Sequence, residues 1–401
     1  MPAPTILFVH DSFPGQFGAL ARGFAADGWQ VGFATAAPVA ATAGLRLLRY
    51  APHREPAAAT HPYAQPMDRA ALRAQGFARS ALAAKRDGFA PDVVVNHTGG
   101  GAGMFAKQIF PRARVIAYCE WWYRFPGADV AWLAAHGYAH AAAPEAPLHE
   151  QARNAPIALE LAAADGAVCP TAFQAAQFPP ALRDRLTVLH DGVDTDRFRP
   201  AAGGREDTLD GLLPEGTRLV TYATRGMEPH RGFPEFMAAL PAVLAADPRA
   251  VAVIAGDNRV CYGGDGLRAT DWKARALAEN AIDPQRIRFT GTLDPALWLR
   301  LLQRSDAHVY LTVPFVLSWS MLEAMATGCA MVASDTAPVR EFAGRASAAL
   351  VDHARPAAIA EAIVATLADP AEVRRAAARE AAQERVPAAR SLAAWREIAA
   401  G

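Results

Sequence analysis

Lysine is nearly absent from this chain of 401 residues: Lys85, Lys107 and Lys273 stand in helical or loop contexts, and none suggests a Schiff base. Cysteine is scarce too. Cys119, Cys169, Cys261 and Cys329 are widely spaced, with no CxxC or CxxH pattern. That supports neither a zinc site nor a disulfide scaffold and fits reduced thiols in a cytoplasmic enzyme. No charge of one sign dominates, since 40 basic residues balance 40 acidic ones. This argues against wholesale nucleic-acid binding while leaving a local basic pocket open. Long apolar runs are missing as well. Ile6–Val9 stops at His10-Asp11, too short for a signal peptide, and no segment suits a membrane span. Peripheral membrane contact stays open.

What is present reads as an ordinary globular protein, 52% hydrophobic and 20% charged, and long enough for two domains. Strands are expected at Thr5–Val9, Val31–Thr35, Val93–Asn96, Val115–Tyr118, Gly166–Cys169 and Leu186–Leu189. Helical stretches such as Phe17–Asp27 and Asp68–Asp87 alternate with them, which implies a parallel sheet covered on both faces. The polar stretch Pro200–Asp207 reads as a linker. The pattern then restarts with strands at Leu219–Tyr222, Ala250–Ala255, Ile287–Phe289, Ala307–Leu311, Met331–Ser334 and Ala348–Val351. The expected architecture is α/β, two doubly wound Rossmann-like domains facing across a cleft: 1–200, 201–385, and a C-terminal helix, 386–401, that either stays solvated or packs back on the first domain.

The most telling stretch is Pro314–Gly328, which joins two apolar strands through a polar loop, a short helix and a glycine stop. A loop leaving the carboxyl end of a strand in such a βαβ unit faces the ligand crevice. Ser318 and Ser320 suit the helix start, whose free N–H groups make an anion site. Glu323 has the reach to bind a diol such as ribose; the alternative is a capping box between Ser320 and Glu323. Arg225 and Arg231 flank the loop before a second helix start. Their planar forks suit phosphate oxygens, and the alternative is a surface loop with salt bridges.

In the first half, Gly15 and Gln16 follow the first strand, where glycine lets backbone approach a ligand. Glu120 ends another strand, placed to orient a hydroxyl or share its proton; a salt-bridge residue is the alternative. Trp121, Trp122 and Tyr123 read either as core or as a sugar-stacking platform. His10 and His97 end strands near the same place. The glycine loop 99–103 lacks the GxGxxG register, so a dinucleotide fingerprint is not supported. Tyr262–Gly266 reads as a turn.

Arg225, Arg231, Glu323 and the Ala307–Ser334 unit resemble the C-terminal domain of the family 4 retaining glycosyltransferases of the GT-B fold. Leu189–Phe198, Ala255-Gly256-Asp257 and Phe289–Leu293 match the family's signatures in the expected order, over nearly the whole chain. Pro170–Gln174 with Phe178-Pro179 is similar to a bacterial subgroup linked to surface-polysaccharide assembly. The resemblance implies a nucleotide diphosphate sugar donor, UDP- or GDP-linked, no metal and no other cofactor, and a saccharide or glycan-precursor acceptor on the first domain. It implies that Arg225 and Arg231 hold the diphosphate, that Glu323 holds the ribose, and that backbone around Thr292 and Leu293 lies near the base. One position departs. The family's first glutamate, eight positions before Glu323, is Phe315 here. Donor-sugar contacts are then expected from the amides of Val316, Leu317 and Ser318 and from the Ser318 hydroxyl. Rival readings are a GT-B sugar-nucleotide epimerase or phosphorylase, or a non-catalytic nucleotide-binding relative.

Overall fold

The computed structural model describes residues 3–40, 42–138, 145–203, 213, 216–263, 265–369 and 371–401. Residues 204–207 of the expected linker and Gly264 of the expected turn lie outside the described residues. The chain forms two compact units. The first is Met1–Phe125, Ala143–Gly192 and Ala388–Gly401; the second is Pro126–Ala142 and Val193–Pro387. Chain order and unit membership therefore part at two places, the segment 126–142 and the C-terminal helix.

The first unit holds β1 (Thr5–Val9), β2 (Gln30–Thr35), β3 (Leu45–Arg49), β4 (Val93–His97), β5 (Arg114–Tyr118), β6 (Gly166–Cys169) and β7 (Leu186–Val188). They form one parallel sheet in the order β3-β2-β1-β4-β5-β6-β7. Every residue of β1 is buried, as a central parallel strand requires. Its alternate side chains serve two cores. Leu7 and Val9 pack with Phe77, Ile157 and Leu161, while Ile6 and Phe8 pack with Phe24 and Trp395. β3 was not expected from sequence. It is an edge strand with two arginines among five residues, so it carries no continuous apolar run.

The second unit holds β8 (Arg218–Gly226), β9 (Ala250–Asp257), β10 (Ile287–Gly291), β11 (Ala307–Tyr310), β12 (Met331–Ser334) and β13 (Ala348–Val351). Their order is β10-β9-β8-β11-β12-β13, again all parallel. The helix Trp319–Thr327 buries Met321, Leu322 and Met325 against Met331 and Ala333 of β12. Gly328 stops it with a left-handed φ of 75°, a conformation glycine adopts without a Cβ clash. The last helix, Ala388–Ala400, seats Trp395 fully buried in the first unit's core, and Arg396 pairs with Asp27 at 2.6 Å.

Two sheet orders decide where chemistry can sit. In the first sheet the strand order reverses between β1 and β4, and in the second between β8 and β11. Crevices outside the carboxyl ends of strands at such switch points bind ligands in open α/β sheets.

Candidate functional site

At the switch point of the first sheet, β1 ends at His10 and β4 at His97, and their rings lie 4.4 Å apart. A cavity of about 310 Å3 opens there, lined by His10, Asp11, Arg73, His97, Glu120 and Trp121 among others. One chain of hydrogen bonds organises it. The Ser12 N–H donates to His10 Nδ1 at 2.8 Å, so His10 carries its proton on Nε2 and donates to Gln16 Oε1 at 2.9 Å. The Gln16 amide in turn donates to Glu120 Oε1 at 2.9 Å. From the other side His97 Nε2 stands 3.4 Å from Glu120 Oε2. Sequence-predicted Gly15, Gln16 and Glu120 thus come together. Gly15 has φ +49° and a Cβ there would meet the His10 ring at about 3 Å, so only glycine lets that ring pack.

The electrostatics follow from this wiring. Burial and the neighbouring His97 hold His10 down at about 4, neutral at physiological pH. Burial alone would lower His97, but the Glu120 carboxylate outweighs it and the net shift is upward. Burial would likewise raise Glu120, yet its bonds with His97 and Gln16 turn the shift downward, so Glu120 is a carboxylate. Behind it, Glu160 accepts from Asn96 Nδ2 at 2.9 Å and from the Gly99 N–H at 2.8 Å. Burial still pushes that carboxyl up to about 7. Of the aromatic run, Trp122 belongs to the core, while Trp121 and Tyr123 line the cavity.

At the second switch point, Arg231 is the organising residue. It follows β8 and precedes the helix Phe233–Ala246, and its side chain is buried. Its Nη1 donates to Thr312 Oγ1 and to the Val316 carbonyl, both at 2.9 Å, and lies 3.5 Å from Tyr310 Oη. Its guanidinium lies 5.1 Å from the Tyr262 ring centroid and 5.8 Å from that of Phe315. Burial pulls its pKa down, but the Tyr310 and Tyr262 oxygens outweigh this and the group stays charged. Arg225 sits on β8 itself and is exposed. Both guanidiniums act on Glu228, a fully buried carboxylate that accepts from the Cys261 and Tyr262 N–H groups at 2.9 and 2.8 Å. Burial carries Glu228 up to about 7 against them.

Ser318 is the N-cap of the helix Trp319–Thr327, its Oγ accepting from the Ser320 N–H at 3.4 Å, and its own N–H donates to Tyr310 Oη at 2.8 Å. With Ser318 at the cap, Glu323 stands beyond the third helical position and is not placed to close a capping box. Its Oε2 instead accepts from Trp298 Nε1 at 2.7 Å. Leu317 packs into the core beside that helix. Phe315 packs its ring edge-on against Tyr262 at 4.9 Å and His230 at 5.5 Å. Thr292 and Leu293 follow β10, the edge strand, and Thr292 Oγ1 donates to Asp257 Oδ1 at 2.8 Å. Among the described residues no group of three or more His, Cys, Asp or Glu is arranged to hold a metal.

Sequence reasoning missed several members. Asp11 pairs with Arg73 at 2.9 Å and accepts from Tyr50 at 2.6 Å, across separations no local pattern reveals. Trp298 lies 25 residues from the carboxylate it binds, on the helix Pro295–Arg304. Glu228 was legible only as a charged residue between two arginines.

Residues 27–198 match the family described as glycosyl transferase family 4 group, and residues 217–369 match glycosyl transferases group 1. No curated protein matches the chain in sequence. Among solved structures, sucrose-phosphate synthase from Thermosynechococcus elongatus superposes with a TM-score of 0.72 at 18% identity, over 98% of each chain. Anabaena HepE in complex with UDP-glucose gives 0.69 at 14% identity, also over 98% of each chain. An E. coli trehalose-6-phosphate protein bound with UDP-2-fluoro glucose gives 0.64 at 12% identity, over 98% of each.

Proposed function

The chain belongs to the glycosyltransferases of the GT-B type, and from that premise we propose that it moves a sugar from a UDP-sugar to a saccharide-type hydroxyl with retention of anomeric configuration. The observation that carries this is Arg231, a buried, charged guanidinium fixed between Thr312 and the Val316 carbonyl at the carboxyl ends of β8 and β11. A charge preorganised at that place stabilises a leaving diphosphate as its charge develops, at no cost of reorganisation. Arg225, on the exposed end of β8, supplies a second bidentate partner. Glu323, with one oxygen held by Trp298, offers the other to the ribose diol. The helix N-terminus at Ser318 adds its partial positive charge, so the donor is held without a metal. UDP is favoured over GDP because two of the structural neighbours carry UDP-sugars.

On the first unit, Glu120 accepts from Gln16 and His97 and keeps lone pairs for an acceptor hydroxyl, which it orients and whose proton it shares. No described carboxylate stands in the role of a covalent nucleophile, so attack comes from the leaving-group face. A membrane-surface role in polysaccharide assembly is compatible; no described helix is long and apolar enough to cross a membrane.

The test is the anomer first released when UDP-α-glucose is hydrolysed slowly in the absence of acceptor. α-Glucose seen first by proton NMR supports retention, and β-glucose first contradicts it. Phe315 favours one second reading, a nucleotide-binding relative without turnover: a phenyl ring gives sugar hydroxyls no partner. UDP binding with neither hydrolysis nor transfer would select it.

A further inference from the structure

We infer that the first-unit cavity takes a neutral, polyhydroxylated acceptor and excludes a sugar phosphate; this rests on the transferase reading above. Backbone N–H groups in glycine loops such as 99–101, which follows β4, can bind anions. In the structure a carboxyl group already holds the first of these N–H groups, and a second lies against the loop. The Gly99 N–H donates to Glu160 Oε2 at 2.8 Å. The Asp11 carboxylate lies against Gly100, so close that a Cβ there would stand 2.8 Å from Asp11 Oδ2. An incoming phosphate would face the Asp11 carboxylate across this loop.

The rest of the lining gives the same answer. Among the described lining residues Arg73 is the one arginine, and it is bound to Asp11 at 2.9 Å. Glu120 is bound to His97, and His10 is neutral at physiological pH. Asp11 and Glu120 are thus paired with Arg73 and His97, and among the described lining residues no further arginine or lysine faces a dianion. Arg153, whose guanidinium lies 3.5 Å from the Tyr123 ring centroid, is paired with Glu150 at 3.0 Å. Burying an unmatched phosphate beside these carboxylates is unfavourable. Hydroxyls suit the lining instead. Carboxylates accept from them, and the faces of Trp121 and Tyr123 cover the apolar side of a sugar ring. The volume, about 310 Å3, lies at the small end of ligand sites and suits a sugar-sized group.

The experiment is a binding titration by saturation-transfer NMR on the full chain, with UDP present. The probes are methyl glycosides of glucose, galactose, mannose and N-acetylglucosamine, and the 6-phosphate of each. At least one neutral glycoside is expected to bind about tenfold or more tighter than its phosphate. Glu120→Gln should weaken it, and Asp11→Asn, which frees Arg73, should narrow the gap by improving the phosphate. A 6-phosphate that binds the wild-type protein tighter than its parent overturns the inference, as does failure of every neutral glycoside to bind. The transferase reading fails separately: neutral glycosides would bind while no UDP-sugar is bound or turned over.

Discussion

Arg231 spends its hydrogen bonds on neutral partners, Thr312 and a carbonyl, while its charge acts on the buried Glu228 nearby. Replacing it should therefore remove transition-state stabilisation and little recognition of the sugar. Arg231→Ala is expected to lower turnover of the UDP-sugar by about two to three orders of magnitude. Circular dichroism checks that the variant is folded, and unchanged turnover in a folded variant would refute the diphosphate assignment. Glu323→Ala should raise the donor KM with a small effect on kcat, because the ribose is bound alike in ground and transition states. Phe315→Glu restores the carboxylate usual in the family, beside Arg231. A changed order of preference across UDP-sugars is expected, and an unaltered order would place the donor sugar elsewhere. Glu160 gives a pH signature. Its pKa rises from 4.5 to about 7 on folding, so the native state binds the proton more tightly. The stability this contributes is complete below about 4.5 and is lost as pH rises through 7. Relative to Glu160→Gln, the wild-type protein should lose about 3 kcal/mol of unfolding free energy over that window, measured by urea titration.

The elements were largely legible because central parallel strands are unbroken apolar runs. Met331–Ser334, Gly166–Cys169 and Thr5–Val9 read the same in sequence and structure. β3 escaped because it is an edge strand whose exposed arginines, Arg46 and Arg49, interrupt its leucines on both faces. Of the site, the residues carried by local loops, Gln16, Glu120, Arg231 and Glu323, stood out by position after a strand. Trp298, which binds Glu323, and Arg73 and Glu160, which bind Asp11 and Gly99, arrive from distant helices and left no local mark. The last helix was readable in part. Its helical period showed, but period alone does not choose between a solvated and a packed helix; Leu392, Trp395 and Ala399 pack into the first unit's core. Trp395→Ala should cost about 3–5 kcal/mol through the cavity it leaves beside Phe8 and Phe24. A thermal or denaturant unfolding curve little different from wild type would show that the helix contributes nothing to that core.

At the scale of the molecule, each unit repeats one device: a parallel sheet whose order reverses once, with its reactive side chains gathered at that reversal. Composition set the outer bounds, a neutral globular chain with few thiols and very few lysines, and the two sheets supply the sites. The central claim is that the β8–β11 reversal holds a nucleotide diphosphate through Arg231. Calorimetric titration with UDP-, GDP-, ADP- and dTDP-sugars, in EDTA, on wild type and Arg231→Ala, tests it most directly. The account predicts that a UDP-sugar binds the wild-type protein without metal and that the variant binds it at least about tenfold more weakly. Equal binding by the two proteins, or no binding of any donor by the wild type, would contradict it.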